Sequence, residues 1–111
     1  MELKEEQVGS VKIVQVKGRV DSTTSPVLGE RLTGILSVAK ARLVVDFSQV
    51  EYISSAGFRV LLQAGKRADE VSAKLVLCGV SGKVRQLFDL GGFLDLFSIT
   101  ATRDEGITAA G

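Results

Sequence analysis

Asp46-Phe-Ser-Gln-Val-Glu-Tyr-Ile-Ser54-Ser55-Ala-Gly57-Phe-Arg-Val-Leu-Leu-Gln-Ala-Gly65 is the stretch on which the fold turns. It continues an apolar run, Leu43 to Phe47, that reads as a buried strand. A polar turn follows, then the apolar pair Tyr52 and Ile53, then two serines at the mouth of a helix. A serine at a helix N-cap lies beside backbone N–H groups that have no helical partner, where a side-chain oxygen or an added phosphate is welcome. The position is also at the surface, within reach of a partner. From the residue pattern alone, Ser54-Ser55 reads as a plain N-cap.

Elements of the same character extend to both sides. Upstream, Val11 to Val16 alternates toward Gly18 and predicts a strand. Leu3 to Val8 predicts a weaker one, joined through Gly9-Ser10 as an antiparallel hairpin. Gly18 to Pro26 is a polar loop, with Ser25 as N-cap and Pro26 at the first helical position. Leu28, Leu32, Ile35, Leu36 and Ala39 predict a first helix over Pro26 to Ala39.

Downstream, the helix starting near Ser55 has an inner stripe of Phe58, Leu61, Leu62, Gly65 and Ala68. Lys74 to Cys78 predicts a second central strand, and Ser81 caps a third helix over Gly82 to Leu90, stopped by Gly91-Gly92. Phe97 to Thr100 predicts a last strand, followed by a short helix from Asp104. Strands and helices alternate after the hairpin. The expected class is α/β: a mostly parallel central sheet with an N-terminal antiparallel hairpin and helices mainly on one side. Asp46 reads as a turn residue at a strand end.

Composition narrows the function. With 111 residues, one domain over 1–111 is expected. The net charge of +1, from 14 basic and 13 acidic residues, creates no field for nucleic acid or an anionic membrane. There is no histidine, which excludes a Ser-His-Asp triad and a histidine-based zinc site. No catalytic residue, metal or cofactor is expected. Cys78 sits in an apolar run and reads as a reduced core thiol. With no signal peptide and no apolar run of membrane-spanning length, the expectation is a cytoplasmic protein. Balanced charge fits a monomer, and edge strands near the termini leave a weak dimer open.

The order of elements and three motifs resemble the STAS domain, the fold of anti-sigma factor antagonists and of the cytoplasmic tails of sulphate transporters. The motifs are Val16-Lys-Gly18-Arg-Val-Asp21, Val45 to Leu62 around Ser54-Ser55-Ala56-Gly57, and Leu77-Cys-Gly-Val-Ser81 with Val84-Arg-Gln-Leu-Phe-Asp-Leu-Gly-Gly92. The resemblance covers nearly the whole chain. It implies a bacterial partner-switching module in signal transduction and transcription regulation. Unphosphorylated, such a protein captures an anti-sigma factor that is also a serine protein kinase of the histidine-kinase-like ATPase type. Phosphorylation of a serine releases it, and a PP2C-type phosphatase reverses the mark.

Register with the family places the phosphoacceptor on Ser55, with the neighbouring Ser54 as the second candidate. The family's Asp before the acceptor is Ser54 here, and the serine after it is Ala56. The partner surface implied comprises Asp21, Ser22, Thr23, Ser54, Ser55, Ala56, Gly57, Phe58 and Arg59. For Asp21, two readings stand side by side: capping its own loop, or facing the partner. For Arg59, one turn beyond Ser55, the readings are pairing with a phosphate or facing solvent. Two other functions compete: a scaffold or relay subunit in a non-sigma pathway, and a small enzyme or nucleotide binder on a flavodoxin-like sheet.

Overall fold

A computed structural model describes all residues, 1–111. Five strands form one sheet in the order β1-β2-β3-β4-β5. The strands are β1 (Glu2–Val8), β2 (Val11–Val20), β3 (Arg42–Ile53), β4 (Lys74–Cys78) and β5 (Ser98–Thr100). The helices are α1 (Ser25–Ile35), α2 (Ser55–Glu70), α3 (Gly82–Leu90) and α4 (Arg103–Ala110), and a single 3₁₀ turn spans Leu94–Leu96. β1 and β2 pair antiparallel as a hairpin turned at Gly9, whose φ of 58° suits glycine. Every later pairing is parallel.

The centre of the sheet is apolar on both faces, as a strand with two covered faces must be. Val14, Val16, Leu43, Val45 and Leu77 point into a core shared with α1, α2 and α3. Val11, Ile13, Val44, Val76 and Cys78 point the other way, against Ala110 and Ile107 of α4. Three helices therefore cover one face and a single short helix covers part of the other. Gly106 is the contact residue of α4. A Cβ there would stand 3.1 Å from Thr100 Oγ1 and 3.2 Å from Val44 Cγ1.

The structure lengthens two strands beyond the apolar runs that announced them. β3 continues through the polar Ser48, Gln49 and Glu51 to Ile53, because this half pairs with Lys17 to Val20 of β2. β4 stops opposite Asp46, so the distal half of β3 has a neighbour on one side only and its polar side chains face water. β2 likewise runs through Gly18, which has φ 99° beside a shift in register. Asp46 is thus not at a strand end. It is a buried residue in mid-strand, and its Oδ1 accepts from the Ser48 N–H at 2.9 Å.

α1 is shorter than expected, ending at Ile35 rather than Ala39. Its N-cap is Thr24, not Ser25, which is buried in the first turn. Leu62, assigned to the inner stripe of α2, is exposed. Gly57 and Ala64 are buried instead, so the stripe lies slightly round the helix.

Candidate functional site

Ser54 and Ser55 stand where β3 passes into α2. Ile53 pairs with Val20, and the Ser54 N–H donates to the Val20 carbonyl at 2.9 Å. The end of β2 and the start of α2 are thereby tied together. Asp21 follows Val20 directly, so the loop Asp21–Thr24 leaves the sheet beside the two serines.

The two hydroxyls have different environments. Ser54 is the N-cap of α2, with extended backbone (φ −95°, ψ 176°), yet its side chain makes no capping bond. Its Oγ is buried and has no hydrogen-bond partner. Ser55, the first helical residue, is exposed. The first N–H groups of a helix have no carbonyl partner four residues back, and the helix dipole is positive at this end. An anion on Ser55 Oγ would meet favourable charge.

Gly57 explains how closely α2 approaches the sheet. A Cβ there would lie 2.6 Å from Ile53 Cγ1 and 2.9 Å from Val20 Cγ1, both on fully packed side chains. Glycine at this position lets the helix start against the strand ends that hold Ser54. Ala56 is half-buried and Phe58 is buried. The Phe58 ring stacks on Phe93 (centroids 4.2 Å apart, planes at 10°) and meets Phe88 edge-on at 4.9 Å. Gly91 permits that stack, because a Cβ on it would stand 2.5 Å from the Phe93 ring.

Asp21 caps its own loop. Its Oδ1 accepts from the N–H groups of Thr23 (3.0 Å) and Thr24 (3.1 Å). The Thr24 hydroxyl in turn donates to the Arg19 carbonyl at 2.9 Å. The Thr24 N–H foremost, then that of Thr23, with the Arg19 charge nearby, holds the Asp21 carboxyl below its ordinary value. Ser22 and Thr23 stand exposed at the tip. The loop is therefore a shaped, preorganised feature at the edge of the serine site.

Beside Ser55 an open groove of about 430 Å³ runs between α2 and the end of α3. Phe58, Leu62, Leu87 and Phe93 form its apolar floor and walls, with Tyr52 and Arg59 at the Ser55 end. Arg59 is exposed and meets no carboxylate; the ion pairs of the protein are Glu5 with Lys12 and Arg31, and Glu6 with Arg103. The Arg19 guanidinium lies 4.4 Å over the Tyr52 ring. The nine residues expected at the partner surface lie together on the Asp21 loop, the Ser54 cap and the first turns of α2, and two of them, Gly57 and Phe58, are buried rather than at the surface. Beside them lie Arg19, Tyr52, Leu62 and Leu87, which the sequence did not mark as neighbours of the serines, and Phe93, which after two glycines reads in sequence as core or as an exposed contact. The two glycines before Phe93 are the sequence signal for that contact, beside their role as a helix stop.

No cluster of three or more His, Cys, Asp or Glu side chains is arranged to hold a metal ion. Burial, and then the Asp46 charge, push the Cys78 thiol up to about 12, so it keeps its proton. No helix is long and apolar enough to cross a membrane.

Comparison with known proteins gives the same outline. The family model for the STAS domain matches residues 2–106. BtrV of Bordetella bronchiseptica, a proposed anti-sigma factor antagonist, is 32% identical over 109 residues, covering 98% of this chain and 94% of that one. The anti-sigma-B factor antagonist of Bacillus subtilis is 30% identical over 94 residues, 85% of each chain. A crystal structure of an anti-sigma factor antagonist from Mycobacterium paratuberculosis superposes with a TM-score of 0.81 at 26% identity, covering 98% of this chain and 92% of that one. The chain belongs to the STAS domain family.

Proposed function

We propose that this STAS protein is an anti-sigma factor antagonist that works by partner switching, with Ser55 as its phosphoacceptor. Unphosphorylated, it binds an anti-sigma factor that is also its serine kinase, through the Asp21 loop and the first turns of α2. Phosphorylation of Ser55 releases the partner, and a PP2C-type phosphatase resets the protein. The relatives named as antagonists support the partner class. The protein supplies a substrate hydroxyl and a surface rather than catalytic groups.

The observation that carries the assignment is the contrast between the two serines. A kinase must bring a γ-phosphate in line with the acceptor oxygen, which requires an exposed hydroxyl. Ser55 is exposed, whereas Ser54 Oγ is buried. A phosphate adds about −1.5 to −2 charges. Within the free protein the start of α2 tolerates that charge. At a complementary interface the same group costs space and desolvation and repels acidic neighbours, on a scale of several kcal/mol. Release then needs no change of shape in this protein.

The test is intact-mass and fragment-ion spectrometry after incubation with ATP and the cognate kinase, beside Ser55→Ala. One phosphate on Ser55, absent from the variant, is the expected result. A phosphate on Ser54, or none, refutes the assignment.

A further inference from the structure

The groove beside Ser55 pairs an apolar floor with a single uncompensated positive charge, and that combination selects its occupant. Of the residues that line it, Arg59 alone is charged. Its guanidinium meets no carboxylate in the protein. Arg59 is one helical turn from Ser55, so the two side chains lie on the same face of α2. The positive end of the helix dipole adds to the same field. Arg19 lies over the Tyr52 ring, and its charge acts on the Asp21 carboxylate, so Arg59 is the charge left for the groove. Leu62 remains 40% exposed beside the Phe58–Phe93 stack, which is apolar surface left open to a partner.

We infer that the groove receives an amphipathic segment of the partner protein that carries acidic side chains. Leucine- or phenylalanine-sized side chains would fill the space over Phe58, Phe93 and Leu62, and a carboxylate would pair with Arg59. The inference rests on the reading that this face is the partner surface, and it adds the chemistry of what binds. It also adds a way for the switch to act. A phosphate on Ser55 competes for Arg59 within the same chain and repels the incoming carboxylate. One modification thus removes an attraction and adds a repulsion.

The test needs neither the kinase nor the native partner. Three capped synthetic amphipathic helical peptides would share the same leucine and phenylalanine positions and carry glutamate, glutamine or lysine on the polar face. Each is titrated into the isotope-labelled full chain and followed by amide shifts. The glutamate peptide is expected to bind about tenfold or more tighter than the lysine peptide, the scale of one charge-assisted contact. Shifts should centre on Leu62, Arg59 and Phe93. In Arg59→Gln, an exposed site with no internal partner, the preference should fall to about twofold or less. Ser55→Glu should weaken the glutamate peptide selectively. The inference is overturned by equal or tighter binding of the lysine or glutamine peptide, by a preference that survives in Arg59→Gln, or by no saturable binding of any peptide. Failure of Ser55 to accept phosphate would refute the switch and leave these titrations unaffected, so the two readings fail separately.

Discussion

Ser54 carries an unusual energetic position for a cap residue. An N-cap serine ordinarily contributes about 1 kcal/mol through its bond to a first-turn N–H. Here that bond is absent and the buried Oγ is unsatisfied. Leaving a buried hydroxyl unpaired costs about 1–3 kcal/mol. Ser54→Ala should therefore raise stability, by about 1 kcal/mol, where the same change at an ordinary cap lowers it. Urea unfolding of the variant beside the parent gives the answer. Asp21 makes a prediction in pH. Its folded-state value lies below the ordinary 3.8, so it stabilises the fold above that pH. The contribution fades as pH falls through the lowered value. Asp21→Asn should be less stable than the parent at neutral pH, and the gap should close below about pH 4. Unfolding midpoints measured across pH 2 to 7, a window of about five units around carboxyl titration, test it.

At the scale of elements, the junction of β2, β3 and α2 governs where Ser55 stands. Gly57 is the residue that lets those three meet. In Gly57→Ala the new methyl group would press on Ile53 and Val20, neither of which has room to move. Overpacking of this kind costs about 1–3 kcal/mol. The helix start is the part able to yield, so kinase-dependent labelling of Ser55 should slow along with the loss of stability. Unchanged stability in chemical denaturation would show that the contact is not limiting. The pairing of helix and strand signals was legible because apolar periodicity changes from continuous to helical across Ser54-Ser55. The true length of β3 was not. Ser48, Gln49 and Glu51 look like a turn in sequence, and they form strand only because β2 continues far enough to pair with them.

Across the whole molecule, the sheet separates two surfaces with different duties. One face, under α1, α2 and α3, holds the larger core and ends at the serine site. The other, under α4, holds a smaller core with Cys78 at its centre. With its thiol pushed up to about 12 from 9.0, Cys78 stays protonated in the fold while an unfolded chain ionises. A raised thiol value means that stability is intact below pH 9 and declines as pH rises from 9.0 toward about 12. Cys78→Ala should flatten that alkaline decline, measured by unfolding at pH 7 and pH 10, on either side of ordinary thiol titration. In the native state the thiol should also resist an aromatic disulfide reagent that reacts fully after denaturation.

The class of the fold, its hairpin and parallel sheet, and the place of the two serines at a helix start were all readable from local pattern. Alternation, apolar runs and cap residues are short-range signals, and their order restricts the connections. Register with the family pointed to Ser55, but local pattern alone did not tell which serine is presented, since Ser54 and Ser55 are adjacent and chemically identical. Burial separates them, and burial depends on α2 lying against the end of β3 and against Val20, which comes from elsewhere in the chain. The groove follows the same rule. Phe58 and Phe93 are far apart in sequence, and Leu62 looked like a core residue until the helix was set on the sheet. Charge, composition and periodicity belong to the chain. Exposure, the stacked rings and the unpaired arginine exist only once distant segments have packed together.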